Sequence, residues 1–116
     1  MEKKDLKILV VGEFEVINAA VKSAVDLYGV QCDVMSIENA EEMIFEGDYT
    51  HIIVALERDE EREKGVIFYN LLKIRLPAWR KSVKLFKAGI SNVAADDYIR
   101  VPTNIMDDIA TKIILA

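Results

Sequence analysis

Two stretches of this chain, Leu6–Val11 (LKILVV) and His51–Leu56 (HIIVAL), are apolar almost without interruption and rich in branched residues. A strand with one wet face alternates apolar and polar residues, whereas a strand apolar at nearly every position needs cover on both faces. A parallel sheet sandwiched between helices meets that condition. The segments between the runs supply the cover. From Phe14 to Tyr28, apolar residues recur at helical spacing (Val16, Ile17, Ala20, Val21, Ala24, Val25, Tyr28), and Gly29 follows as a stop. Val30–Ile37 reads as a second strand. Glu38–Glu46 reads as a short helix with Ala40, Met43 and Ile44 on one face, closed by Gly47.

Gly65–Arg75 reads as a third helix, offering Ile67, Phe68, Leu71, Leu72 and Ile74 to the core, with Pro77 expected to end or kink it. Ser82–Phe86 is expected to be a fourth strand and Tyr98–Val101 a fifth, closed by Pro102. Thr103 can cap a last helix that turns Ile105, Met106, Ile109, Ala110 and Ile113 inward, with Asp107 and Asp108 near its positive end. Strands alternating with helices predict one α/β domain over residues 1–116, a doubly wound five-stranded parallel sheet. Sites of such sheets lie beyond the carboxyl ends of the strands. That directs attention to Gly12, Glu13, Ala55, Leu56, Phe86, Lys87, Val101 and Pro102.

Composition narrows the function classes. The 116 residues carry a net charge of −5, which argues against phosphate-driven nucleic-acid binding. The one cysteine, Cys32, excludes an intramolecular disulfide and any zinc site built on paired thiolates. No segment approaches the ~18–20 apolar residues of a membrane span. Met1–Leu6 carries Lys3 and Lys4 but no small-residue cleavage site, so a soluble cytoplasmic protein is expected. Charge is polarised. Ten acids between Glu38 and Glu63 face only Arg58 and Arg62, while Lys73–Lys87 holds six bases and no acid. Two solvated faces, or a surface for a protein partner, account for that split.

Four pieces of the chain, in order, resemble a response-regulator receiver domain. They are ILVVGEFE at 8–15, AAVKSAVDLYGVQCDVMSIENAEEMI at 19–44, YTHIIVAL at 49–56 and DDYIRVP at 96–102. The resemblance implies flavodoxin-like receiver topology. It also implies a site with an aspartate nucleophile, a Mg²⁺ held by neighbouring acids, a hydroxyl and a lysine before a proline. Matched residue by residue, that site is degenerate here. Ala55 stands at the acceptor position, Gly12 at the first acid, Phe86 or Lys87 at the hydroxyl and Val101 at the lysine; only Glu13 remains of the acidic pair. An alanine offers no oxygen for an acyl phosphate, and one carboxylate is few ligands for a hard divalent ion. The acids at Glu57 and Asp59–Glu63 fall past the strand end. The eleven residues Ala88–Tyr98 are too few for a full fourth helix, so that helix is expected to be shortened.

Glu13 and Lys87 are expected to approach each other, the ammonium standing where the family holds its metal. His51 and Cys32 read as structural residues of their strands, and Tyr98 as a static, half-buried ring rather than a mobile switch. Trp79, flanked by Arg75 and Arg80, reads either as core cover or as an interface anchor. The turn at Gly12 has neither dinucleotide-binding nor Walker spacing, and Ser82 and Ser91 have no evident partners for hydrolase chemistry. The expectation is a non-phosphorylatable signalling module of two-component type, not an enzyme, without cofactor or metal. It would bind an unidentified protein through Trp79, Arg80, Lys84 and Tyr98, with a homodimer left open and no membrane or nucleic-acid partner. The alternative is a flavodoxin-like domain that binds a nucleotide or flavin.

Overall fold

A computed structural model describes residues 5–91 and 93–116, so the readings that touch Met1–Lys4 and Asn92 lie outside the described residues. The elements run β1 (Lys7–Val11), α1 (Glu15–Leu27), β2 (Gln31–Met35), α2 (Ile37–Glu46), β3 (His51–Ala55), α3 (Lys64–Ala78), β4 (Lys84–Ile90), β5 (Tyr98–Val101) and α4 (Ile105–Ile109). A single π-helical turn, Ala110–Ile114, continues α4. The strands form one parallel sheet in the order β2-β1-β3-β4-β5. This is the doubly wound α/β arrangement of flavodoxin-like and receiver domains.

The sheet is covered on both faces, which explains the two unbroken apolar runs. Ile8, Val10, Ile53, Phe86, Ala88 and Ile99 pack under α1 and the C-terminal helix, against Ile17, Val21, Ile109 and Ile113. Leu9, Val11, Ile52 and Val54 point the other way, against Ala40 and Ile44 of α2 and Phe68, Leu72 and Leu76 of α3. Each fully buried branched side chain contributes about 1.5–3 kcal/mol. Among the described residues, no helix is long and apolar enough to cross a membrane.

Several elements differ from the sequence expectation. β4 runs Lys84–Ile90 rather than Ser82–Phe86, because its register is set by pairing with β3, where Ala55 lies opposite Ala88. α3 continues through Pro77 to Ala78. In the last turn a proline removes a single helical hydrogen bond, and the end is closed by Trp79 N–H donating to the Arg75 carbonyl at 2.9 Å. Ile67, Leu71 and Ile74 are exposed, not core, because the buried ridge of α3 is Phe68, Tyr69, Leu72 and Leu76. Met43 likewise faces out while Ala40 and Ile44 face in. At the C-terminus Asn104, not Thr103, is the cap residue. The π turn adds a residue to its circuit, so Ile114 joins Ile109 and Ile113 inside and Met106 is left exposed. Asp108 is not a solvated helix-end acid. It is buried and takes a two-pronged ion pair from Arg100 at 2.7 and 2.9 Å.

The connection from β4 to β5 contains no helix among its described residues, so the expected shortening is complete. Parallel neighbours ordinarily need a crossover of a dozen residues or more. Here 91–97 suffices because β5 is displaced along the sheet: Tyr98 pairs with Lys87 and Val101 with Ile90. The chain has to descend only three strand residues, about 10 Å. The consequence is a stepped sheet. β4 runs two residues beyond Ala55, the end of β3.

Candidate functional site

The carboxyl ends of β1 and β3 open into a cavity of about 220 Å³ lined by Glu13, Phe14, Ile37, Ala55, Glu57, Glu63, Lys64 and Gly65. Its floor is made of small residues by necessity. A Cβ on Gly12 would stand 2.9 Å from Ala55 Cβ and 2.9 Å from Asn18 Oδ1. Asn18 reaches back from α1 and donates through Nδ2 to the Gly12 carbonyl at 2.9 Å. Its buried Oδ1 accepts no hydrogen bond from the described residues. Gly12 is therefore a packing requirement, and a carboxylate at that position has no room.

Glu13 leaves this floor toward α2. Its Oε1 accepts the Ile37 N–H at 3.0 Å and so serves the first turn of α2. Lys87 does not meet it. Lys87 lies opposite Val54, and its Nζ sits 5.1 Å from the Tyr69 ring centre, 5.9 Å from that of Tyr98 and 3.9 Å from Asp59 Oδ1. The expected Glu13–Lys87 approach is thus replaced by two separate partnerships. Each charge is satisfied on its own side of β3.

The acidic loop after β3 is organised by one of its own members. The Glu63 carboxylate accepts three backbone N–H groups, from Glu57 at 2.7 Å, Arg58 at 2.8 Å and Asp59 at 3.1 Å. Asp59 adopts φ 55°, a left-handed conformation that a short polar residue tolerates. Successive amides turned toward one point form an anion-binding concavity, and here the chain supplies the anion itself. Sequence reasoning placed this run past the strand end, as a solvated loop whose acids suit the start of the next helix. Nothing distinguishes Glu63 among five neighbouring acids except its place just ahead of α3.

Beside Lys87, Tyr69 OH donates to Asp97 Oδ2 at 2.6 Å. Burial first, then this bond, pushes the Tyr69 hydroxyl above its ordinary range, and the same bond holds Asp97 below the usual carboxylate range. Tyr98 is buried rather than half-buried, and a Cβ on Gly89 would fall 2.5 Å from its hydroxyl oxygen. Burial, followed by the fields of Asp59 and Glu63, pushes the Tyr98 hydroxyl up to about 12. Ala88, not Phe86 or Lys87, lies opposite Ala55, and Val101 is buried ahead of a cis bond to Pro102. Neither residue offers a hydroxyl or an ammonium.

The four interaction candidates do not converge. Trp79 packs edge-to-face on Phe45 of α2, with ring centres 5.2 Å apart, and shares a groove with Glu38, Glu41 and Glu42. Arg80 follows it at φ 57°. Lys84 starts β4 at the opposite end of the sheet, in a small cavity with Thr50, His51 and Ser82. Tyr98 is inside. His51 is buried, stacks on Phe86 and lies 2.8 Å through Nδ1 from Thr50 Oγ1. Burial, with a smaller push from Lys84, lowers its pKa to about 4. Cys32 is buried, and burial raises its thiol to about 11, so it is a poor nucleophile.

No protein-family model matches this chain, and no curated protein matches it.

Proposed function

We propose that the chain is a receiver-like protein-interaction module that takes up no phosphoryl group, acting in the cytoplasm within two-component-type signalling. The observation that carries this reading is the state of the amides after β3. Where a phosphoryl oxygen would need donors, Glu63 already holds three of them. The neighbouring residue types agree: Ala55 lacks a nucleophile, Gly12 has no space for a carboxylate, and Ala88 and Val101 bring no polar group. Lys87 is held between two rings and Asp59. A chain of this kind exerts its effect through a surface rather than a reaction.

The alternative, a nucleotide- or flavin-binding domain, is not supported by the cavity between β1 and β3, although a second cavity of about 330 Å³ lies at the carboxyl ends of β4 and β5. The cavity between β1 and β3, of about 220 Å³, falls below the ~300–1,000 Å³ usual for drug- and cofactor-sized ligands. One titration tests both readings. Amide NMR spectra recorded with millimolar Mg²⁺ and then beryllofluoride are expected to leave Glu13, Ala55, Glu57–Asp59 and Lys87 unmoved. A saturable shift at those residues refutes the proposal. A saturable shift with a flavin or nucleotide establishes the alternative.

A further inference from the structure

We propose that the groove between α2 and Trp79 is a docking site for a protein segment that presents arginine side chains. The groove, of about 500 Å³, is lined by Glu38, Glu41, Glu42, Phe45 and Trp79. Phe45 and Trp79 form its apolar wall, edge to face, with ring centres 5.2 Å apart and planes at 74°. Phe45 is 51% exposed and Trp79 is half-buried, so both rings offer area to an occupant.

Charge selects that occupant. Along the chain Trp79 stands among bases, Arg75, Arg80 and Lys81. The fold lays it against the acids of α2 instead. Arg75 pairs with Glu41, and Lys81 Nζ donates to the Gly47 carbonyl at 3.0 Å. Arg80, left-handed at φ 57°, does not line the groove. Glu38 and Glu42 are exposed and have no ion pair or hydrogen-bond partner for their side chains among the described residues. They lie one turn apart on α2, a like-charge spacing that weakens a helix rather than supporting it. A cation seated between them relieves the repulsion. Arginine satisfies both halves of the groove: its planar guanidinium stacks on an aromatic ring and bridges carboxylates through paired N–H donors. Lysine brings only a strongly hydrated point charge, and a phosphate-bearing or acidic partner is repelled. The inference rests on the interaction-module reading, to which it adds the chemistry of the partner. The groove shares no lining residue with the cavity between β1 and β3, so this test and the phosphoryl-mimic titration fail separately.

Trp79, the one tryptophan, reports on the groove through its fluorescence. The full chain is titrated at low salt with capped tri-arginine and, in parallel, with capped tri-lysine and spermine. A saturable change with tri-arginine is expected, with a dissociation constant of about 0.1–1 mM, the range of a few exposed ring and charge contacts. Glu38→Gln with Glu42→Gln should weaken binding about tenfold. Glu60→Gln with Glu61→Gln, which removes the same net charge from the loop after β3, should change it by less than about twofold. Tri-lysine and spermine should bind about fivefold more weakly or worse. No saturable change, equal binding of tri-lysine or spermine, or an equal loss in both double variants overturns the proposal. Thermal melts check that each variant folds, and Glu42→Gln alone replaces the first pair if it does not.

Discussion

Removing the Glu63 carboxylate releases three backbone amides at once. Two of them, from Arg58 and Asp59, converge on Oε1, and the third, from Glu57, reaches Oε2. A hydrogen bond to a charged acceptor is worth about 1.5–3 kcal/mol when buried, but this loop is open to water, which re-solvates the freed amides. A net cost of about 2 kcal/mol for Glu63→Ala is the reasonable sum, close to the loss of a strong helix cap. With roughly 2.1 cal/mol/K of unfolding entropy per residue, this chain has about 0.24 kcal/mol/K, so the melting temperature should fall by about 8 °C. Glu63→Gln retains one carbonyl oxygen and so can keep the Arg58 and Asp59 bonds. It should lie between Ala and the parent. Urea unfolding followed through Trp79 fluorescence measures all three proteins. If Ala costs less than about 0.5 kcal/mol, or Gln and Ala are equal, the carboxylate does not organise the loop.

His51, the one histidine, gives a clean pH prediction. Its folded pKa of about 4 lies below the unfolded value of 6.5, so the unfolded state binds the extra proton as pH falls. Stability should therefore decline from above pH 6.5 down toward pH 4, by about 1.4 kcal/mol at pH 5.5, and His51→Phe should flatten that slope. An imidazole resonance titrating near 6.5 in the folded protein would contradict it. Gly12→Ala should cost about 1–3 kcal/mol through overpacking against Ala55 and Asn18; an unchanged urea midpoint would show that the floor yields.

The parts of the fold written plainly in the sequence are those governed by burial on two faces. β1 and β3 fall within a residue or two of the apolar runs, because LKILVV and HIIVAL have no other stable environment. β4 was misplaced because its inward residues Phe86 and Ala88 are separated by Lys87 and followed by Gly89, a weak strand signal. Only its pairing with β3 fixes the register. The outward apolar ridge of α3 could not be told from a core ridge, since periodicity gives spacing but not which face meets the sheet. At the site, the small and apolar side chains at Gly12, Ala55 and Val101 could be read from the sequence. The roles of Glu63 and Asn18 could not. Both act on backbone atoms distant in the local pattern, and a backbone amide has no letter in a sequence.

The offset of β5 along β4 has a consequence for how the chain assembles. Lys87 and Tyr98 pair across 11 residues of chain, whereas Ile8 and His51 pair across 43. Closing the shorter loop costs about 1 kcal/mol less chain entropy. In a doubly wound domain with a full helix between these strands, the last strand is among the distant contacts. Here it is the nearest in sequence. The sheet therefore gains a local nucleus at one edge, able to form before α1 and α4 close over it, and the slow step of folding shifts to the long-range meeting of β1 with β3.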